Sequence, residues 1–216
     1  MKNIITISRE FGSGGRVIGQ IVARELNYDF YDKEIIDLSA KESGLSADFI
    51  AKNEQNISSG WLYNLLLGTS YAGVQMGAHG HAHSAQPAAL PLADQVFNAQ
   101  RKTILSLAKK GSCVIVGRCA DYVLSTSDQI NQDALLDVFI YADLDDKVKR
   151  AVECYDVPEK DAKKVIQQLN KRRANHYNTF TEQIWGNREN YDLLVNSSVL
   201  GLEETARLIV QFAQKA

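Results

Sequence analysis

An α/β fold with a parallel sheet covered by helices on both faces is what this sequence predicts, and three observations carry the prediction. Short apolar runs rich in β-branched residues recur along the chain, without the alternation of a half-exposed strand. Segments with apolar residues at helical spacing separate them. The first run leads through Gly12-Ser13-Gly14-Gly15 straight into such a segment. A chain of 216 residues fits one domain, 1–216, with an insertion or lid.

Ile4, Ile5 and Ile7 form the first strand, ended by Ser8 and Arg9. Val17, Ile18, Ile21, Val22 and Leu26 place a helix over 15–26. Tyr28–Tyr31 reads as a second, short strand, and Asp32 as the N-cap of a helix through Ser43. Leu45–Asn56 reads as a further helix capped by Ser46. Residues 57–90 are rich in Gly, Ala, Ser and His and read as an irregular, mobile insertion. Leu92–Lys110 is a long helix stopped by Gly111. Cys113–Val116 is a buried strand followed by Gly117 and Arg118, and Ala120–Leu124 opens the next helix. Leu135–Tyr141 is a strand and Asp145–Tyr155 a helix, after which Pro158 starts a long basic helix to about Tyr177. Tyr191–Val195 is the last strand and Gly201–Ala216 the closing helix, with Leu202, Ala206, Ile209, Val210 and Ala213 on its apolar face.

The net charge of −2 provides no global field for nucleic acid or an anionic membrane, so small-molecule partners are expected and an anion site must be built locally. Cys113, Cys119 and Cys154 lie outside metal-like spacing and read as reduced thiols of a cytoplasmic protein. The apolar run before Ser8 is too short for a signal peptide or a membrane span.

Ligands of open parallel sheets bind at the carboxyl ends of the strands, which makes the residues after each strand the first candidates. Gly12, Ser13, Gly14 and Gly15 sit there, between strand and helix. Glycine turns with positive φ and lets an anion approach the backbone, and the helix N-terminus adds about half a positive charge. A flexible, well-capped turn would use the same residues. The loop departs from G-x-x-x-x-G-K-[ST]: the lysine position falls on Gly15 and the Ser/Thr position on Arg16. Arg16, or Arg9 before the loop, could supply the missing charge, since a guanidinium binds phosphate in bidentate fashion. Arg16 could equally be a solvated first-turn residue.

The run Ile5-Thr-Ile-Ser-Arg-Glu-Phe-Gly-Ser-Gly-Gly-Arg-Val-Ile-Gly19 resembles the opening of the cytidylate-kinase-like branch of nucleoside monophosphate kinases. So do Tyr31-Asp-Lys-Glu-Ile-Ile36, Val114-Ile-Val-Gly-Arg118, Trp185-Gly186 and Tyr191-Asp-Leu-Leu-Val-Asn-Ser-Ser198 with Leu200-Gly201. The ordered set covers nearly the whole chain. The resemblance implies a P-loop NTPase-like three-layer fold, an acceptor-binding insertion at about 33–95 and a mobile lid at about 156–188. It implies phosphoryl transfer from ATP, with Mg²⁺, to CMP or dCMP. By position Gly12–Arg16 match the loop for the ATP phosphates, Arg118 an arginine that holds the monophosphate, and Arg172 an arginine of the lid. Two departures stand out. Where true cytidylate kinases carry the loop lysine this chain has Gly15, and where they carry Asp-Gly-Arg-Asp it has Val116-Gly117-Arg118-Cys119, without either carboxylate.

Arg150, Arg172 and Arg173 are the lid candidates, lying among Lys147, Lys149, Lys163, Lys164 and Lys171. In phosphoryl transfer the protein positions groups and neutralises charge, and a closing lid brings its arginines into a drier site. Arg172 and Arg173 point about 100° apart on a helix, so one phosphate cannot use both. Pairing with Glu153, Glu159 and Asp161 on a solvated face is the alternative. Asp32 could contact the acceptor instead of capping its helix. His79, His81 and His83 would share one side of an extended chain, but solvation or adventitious metal binding explains them as well, and no metal site is expected. Trp185 reads as packing at the lid base, and Cys119 as buried. The expected activity is therefore a nucleotide kinase, with a kinase of another small acceptor, or a nucleotide-binding regulator without turnover, as rivals.

Overall fold

The structure, a computed structural model, describes residues 1–43, 46–48 and 92–216. Five strands form one parallel sheet: β1 (Ile4–Arg9), β2 (Asp29–Tyr31), β3 (Cys113–Val116), β4 (Leu135–Tyr141) and β5 (Leu193–Asn196), in the order β2-β3-β1-β4-β5. β1 is central, with Ile5 opposite Val114 on one side and Leu136 on the other. Alternate residues of each strand face opposite sides, and both sides are apolar because both are covered.

Helices α1 (Gly15–Leu26) and α7 (Ser197–Lys215) cover one face. Their Ile18, Val22, Ala206 and Ile209 pack on Ile5, Ile7, Val114, Val116, Leu136 and Val138. Helices α2 (Glu34–Ser43), α3 (Leu92–Lys110) and α4 (Ala120–Ser125) cover the other, with Ile35, Ile104, Leu107 and Leu124 against Ile4, Ile115 and Leu135. Helices α5 (Leu144–Tyr155) and α6 (Glu159–Thr181) form a separate hairpin whose own small core is Ala151, Ala162 and Ile166. Phe11, from the loop after β1, packs into that core and lies 4.9 Å from the Tyr155 ring.

β1, β3, β4 and α1 fall where the apolar patterns placed them, and β2 starts one residue later, at Asp29. Three local expectations are corrected. Asp32 does not cap α2: the helix begins at Glu34, and the Asp32 carboxylate is taken by arginines instead. The last strand starts at Leu193 rather than Tyr191, whose buried ring packs 5.1 Å from Phe139. The closing helix begins at Ser197, capped by the Asn196 side chain, and is broken at Gly201, where φ is 74° and ψ 176°. Of the expected helix over 45–56, only 46–48 are among the described residues; Ala47 and Asp48 are helical and Ser46 is not. The insertion at 57–90, with His79, His81 and His83, lies outside them. No helix among the described residues is long and apolar enough to cross a membrane.

Candidate active site

The connection from β1 to α1 is a tight loop at the carboxyl end of the central strand. Gly12 and Gly14 have φ of 79° and 78°, which an L side chain disfavours. Both are also enclosed: a Cβ on Gly12 would lie 2.8 Å from the Lys147 carbonyl, and one on Gly14 would fall inside the Leu202 side chain. Ser13 braces the turn from within, its Oγ donating to the Glu10 carbonyl at 2.9 Å. Ser197, the first residue of α7, donates to the Ser13 carbonyl at 2.7 Å and holds the loop from outside. The amide of Gly15 reaches Ser13 Oγ only at 3.4 Å, and those of Gly14, Arg16 and Val17 have no acceptor among the described residues. Unpaired amides at a helix start, in a loop whose shape is fixed by its neighbours, make an anion site.

Around this loop the sheet gathers arginines. Arg9 ends β1, Arg16 is in the first turn of α1, and Arg118 follows β3. All three meet Asp32, which follows β2: Arg16 Nε lies 2.7 Å from Oδ2, while Arg9 Nη2 and Arg118 Nη1 are each 3.6 Å from Oδ1. Arg118 Nη1 also donates to the Asp32 carbonyl at 2.6 Å. Its approach depends on an unusual turn. Gly117, Arg118 and Cys119 all have positive φ, at 77°, 56° and 55°. For the two non-glycines this costs about 1–2 kcal/mol each. The expectation that Cys119 is buried holds, at 4% exposure.

The hairpin adds a fourth guanidinium. Arg173, on α6, donates from Nη1 to the Arg9 carbonyl at 2.8 Å, with its charge 6.0 Å from the centre of the Phe11 ring. Burial first, and then the positive charge of Arg9, pull its pKa down to about 9, against the pull of Tyr155, Asp32 and Glu10. Arg150, on α5, donates to the Gly12 carbonyl at 3.0 Å. Arg172 is exposed and is not among these groups. Of the sequence candidates, the fold thus brings Gly12–Arg16, Asp32, Arg118, Arg150 and Arg173 together and leaves Arg172 apart.

Sequence reasoning missed the fastening of the α5–α6 hairpin to the loop. Asn170 Oδ1, on α6, accepts from the Phe11 amide at 2.7 Å, and Lys147 Nζ pairs with Glu10 at 2.6 Å. No local signal marks contacts between residues this far apart in the chain. Trp185 packs edge-on to Phe139, 5.2 Å between ring centres, so its expected packing role is met. It also borders a cavity of about 50 Å³ shared with Ser8, Arg9, Arg118, Arg173 and His176.

A larger cavity, about 350 Å³, opens at the amino ends of β1 and β4 against Lys2, Asp137 and Asp192. It is at the wrong end of the sheet for the loop. Asp137 there is buried, accepts from the Thr6 hydroxyl, and has its pKa pushed up to about 8 by burial, with Asp121 and Asp192 adding to the rise. Asp121 is likewise lifted to about 6 by burial, eased by the Tyr177 hydroxyl.

Residues 4–199 match the cytidylate kinase-like family. This chain belongs to that family. Among solved structures, the kinase-like chain is similar along its whole length to an uncharacterized protein from Eubacterium ventriosum. Identity is 22%, the TM-score is 0.66, and 100% of each chain is covered. Shikimate kinase from Acinetobacter baumannii, solved in complex with shikimate, shares the fold at 12% identity and a TM-score of 0.50, over 99% of this chain and 94% of that one. TT1252 from Thermus thermophilus does so at 9% identity and a TM-score of 0.51, over 100% and 98%. No curated protein matches the chain. The fold is that of the P-loop kinases, and family and fold together make the protein a nucleotide or small-molecule kinase.

Proposed function

We propose that the protein transfers the γ-phosphoryl group of ATP to a nucleoside monophosphate, with CMP or dCMP as first candidates. One observation carries this reading: three guanidinium groups meet one carboxylate at the carboxyl end of the sheet, Arg16 from a helix start whose amides are unpaired among the described residues, and a fourth guanidinium, Arg173, holds the backbone of Arg9. Three arginines around Asp32 leave an excess of positive charge even before Arg173 is added. Glu10 cannot offset it, because Lys147 already holds it. Such an excess suits a polyphosphate and a phosphomonoester side by side.

In this reading the amides of Gly14–Val17 and Arg16 hold the donor phosphates. Arg118 holds the acceptor phosphate, with Asp32 beside it. Arg173 and Arg150 neutralise charge in transit, and Arg172 joins them only if α6 rotates. An acceptor phosphate oxygen forms a bond to the γ-phosphorus as the bond to the β–γ bridging oxygen breaks, and ADP leaves with that electron pair. The acceptor is already an anion and needs no side-chain base. Mg²⁺ would screen the phosphate charge. The described residues contain no group of three His, Cys, Asp or Glu side chains to cage an ion, so phosphate oxygens and water would supply most of its ligands.

A second reading keeps the donor site and changes the acceptor. Asp32, buried at the acceptor end, is also the group that would accept a hydrogen bond from an acceptor hydroxyl. The test is ADP release from Mg-ATP against a panel of nucleoside monophosphates and small alcohols, with Arg118→Ala as control. Turnover on CMP that Arg118→Ala abolishes supports the first reading. Turnover on non-nucleotide acceptors alone replaces it with the second. Saturable ATP binding with no turnover on any acceptor moves the protein to a regulatory role.

A further inference from the structure

A phosphate loop without its lysine raises the question of what meets the donor's terminal phosphates, and the packing around Gly15 bears on it. Arg9 and Gly15 are side by side across the loop. A Cβ placed on Gly15 would lie 2.6 Å from the Arg9 Cβ and 3.0 Å from its Cγ. Those are the root of the Arg9 side chain, which cannot swing aside as its tip could. At the other end, a Cβ on Gly117 would overlap the Arg9 guanidinium. The Arg9 side chain therefore runs through a channel between two glycines, from the strand end to the space between the loop and Asp32. Its route is fixed behind as well, since Arg173 holds the Arg9 carbonyl.

Position 15 is where the sequence pattern calls for lysine. The space a lysine stem would need there is the space the Arg9 stem occupies. The two cations are thus alternatives for one slot, entering from opposite walls. Arg9 also holds Asp32 more loosely than Arg16 does, at 3.6 Å against 2.7 Å, and 20% of its side chain is exposed against 44% for Arg16. It combines a fixed stem with shelter from water.

We propose that Arg9 replaces the phosphate-loop lysine: its guanidinium, threaded between Gly15 and Gly117, binds the terminal phosphates of the donor, and Gly15 lacks a side chain because Arg9 passes through that space. The proposal rests on the kinase reading above and names a residue for it.

The test is binding, read without turnover. Calorimetric titrations with Mg-ATP, inorganic tripolyphosphate and AMP are run on the intact protein and four variants. Arg9→Met keeps the stem and removes the charge; it is expected to weaken Mg-ATP and tripolyphosphate by about 10- to 100-fold while AMP stays within about twofold. Arg9→Lys is expected to recover most of that loss. Gly15→Lys alone is expected to bind Mg-ATP worse than the parent, because two stems compete for one channel. Arg9→Ala combined with Gly15→Lys should bind it better than Gly15→Lys alone. Arg9→Met that binds Mg-ATP within twofold of the parent overturns the proposal and leaves the kinase reading standing. A parent protein that binds neither Mg-ATP nor tripolyphosphate overturns both. Should the lysine variants fail to fold, as circular dichroism would reveal, Arg9→Met and Arg9→Lys decide the question alone.

Discussion

Arg16 and Asp32 form a 2.7 Å ion pair that joins the first turn of α1 to the end of β2, across the space between loop and acceptor side. The carboxylate is almost fully buried and is the shared counter-charge of three arginines. It offsets part of the charge of three cations, which under the proposed function face larger anions.

Removing that charge should therefore uncover the group's affinity. Asp32→Asn is expected to lower stability by about 1–3 kcal/mol, because the arginines lose their partner. Added pyrophosphate should then raise the melting temperature of the variant more than that of the parent. Thermal melts in chloride and in pyrophosphate check both parts; equal shifts would contradict the account.

Gly14 carries two constraints at once, its positive φ and the Leu202 methyl in the space a Cβ would need. Gly14→Ala should cost about 1–2 kcal/mol from the backbone and a similar amount from overpacking. Adding Leu202→Ala should relieve the steric share alone and bring back its own cavity cost. Denaturant unfolding of the two single variants and the double separates the shares.

Asp137 makes stability fall with rising pH. Its folded pKa, pushed up to about 8 by burial, exceeds its ordinary value, so the folded state holds a proton that the unfolded chain releases. Its contribution is intact below the carboxylate's ordinary pKa, near 4, and is lost as pH rises through about 8. The Asp121 carboxyl, lifted to about 6, acts in the same direction over a narrower window. Asp137→Asn should flatten the decline in melting temperature between pH 5 and about 8. A profile as steep as the parent's would refute the assignment.

Arg173 and Arg172 are neighbours in sequence and should differ in effect. Arg173 is sheltered between Arg9 and Phe11, where its charge is disfavoured, and that is the cost of keeping a cation in a dry site. Arg173→Met should lower kcat by about 100-fold with little loss of melting temperature, because a charge under strain is removed. Arg172→Ala, on the exposed side, should stay within about threefold of the parent. Steady-state kinetics beside thermal melts on the acceptor identified above tests the contrast.

Much of this architecture could be read from local pattern. The apolar runs at Ile4–Ile7, Cys113–Val116 and Leu135–Tyr141 mark strands because both faces of a parallel sheet are buried, so no polar alternation obscures them. Gly12–Gly15 and Arg118 could be picked out as candidates because ligands of open parallel sheets bind at the strand ends. Asp32 shows where such reading stops. Its position before a helix is a local cue for capping, but three arginines from other elements outbid the helix for its carboxylate. The break at Gly201 and the late start of β5 were hidden for a similar reason: Tyr191 looks like strand but is drawn under Phe139. Arg9 was visible as a charge near the loop, whereas its channel between Gly15 and Gly117 exists only once β1, α1 and β3 are side by side.

The seat of Phe11 in the α5–α6 hairpin, fixed by the Asn170 bond, ties two parts that might otherwise work separately. Under the proposed function, occupancy of the β1–α1 turn is expected to shift the hairpin through this link. A dye attached near the outer end of the hairpin, far from any nucleotide, should then change its emission when triphosphate arrives, which would turn the protein into a reporter of its own donor.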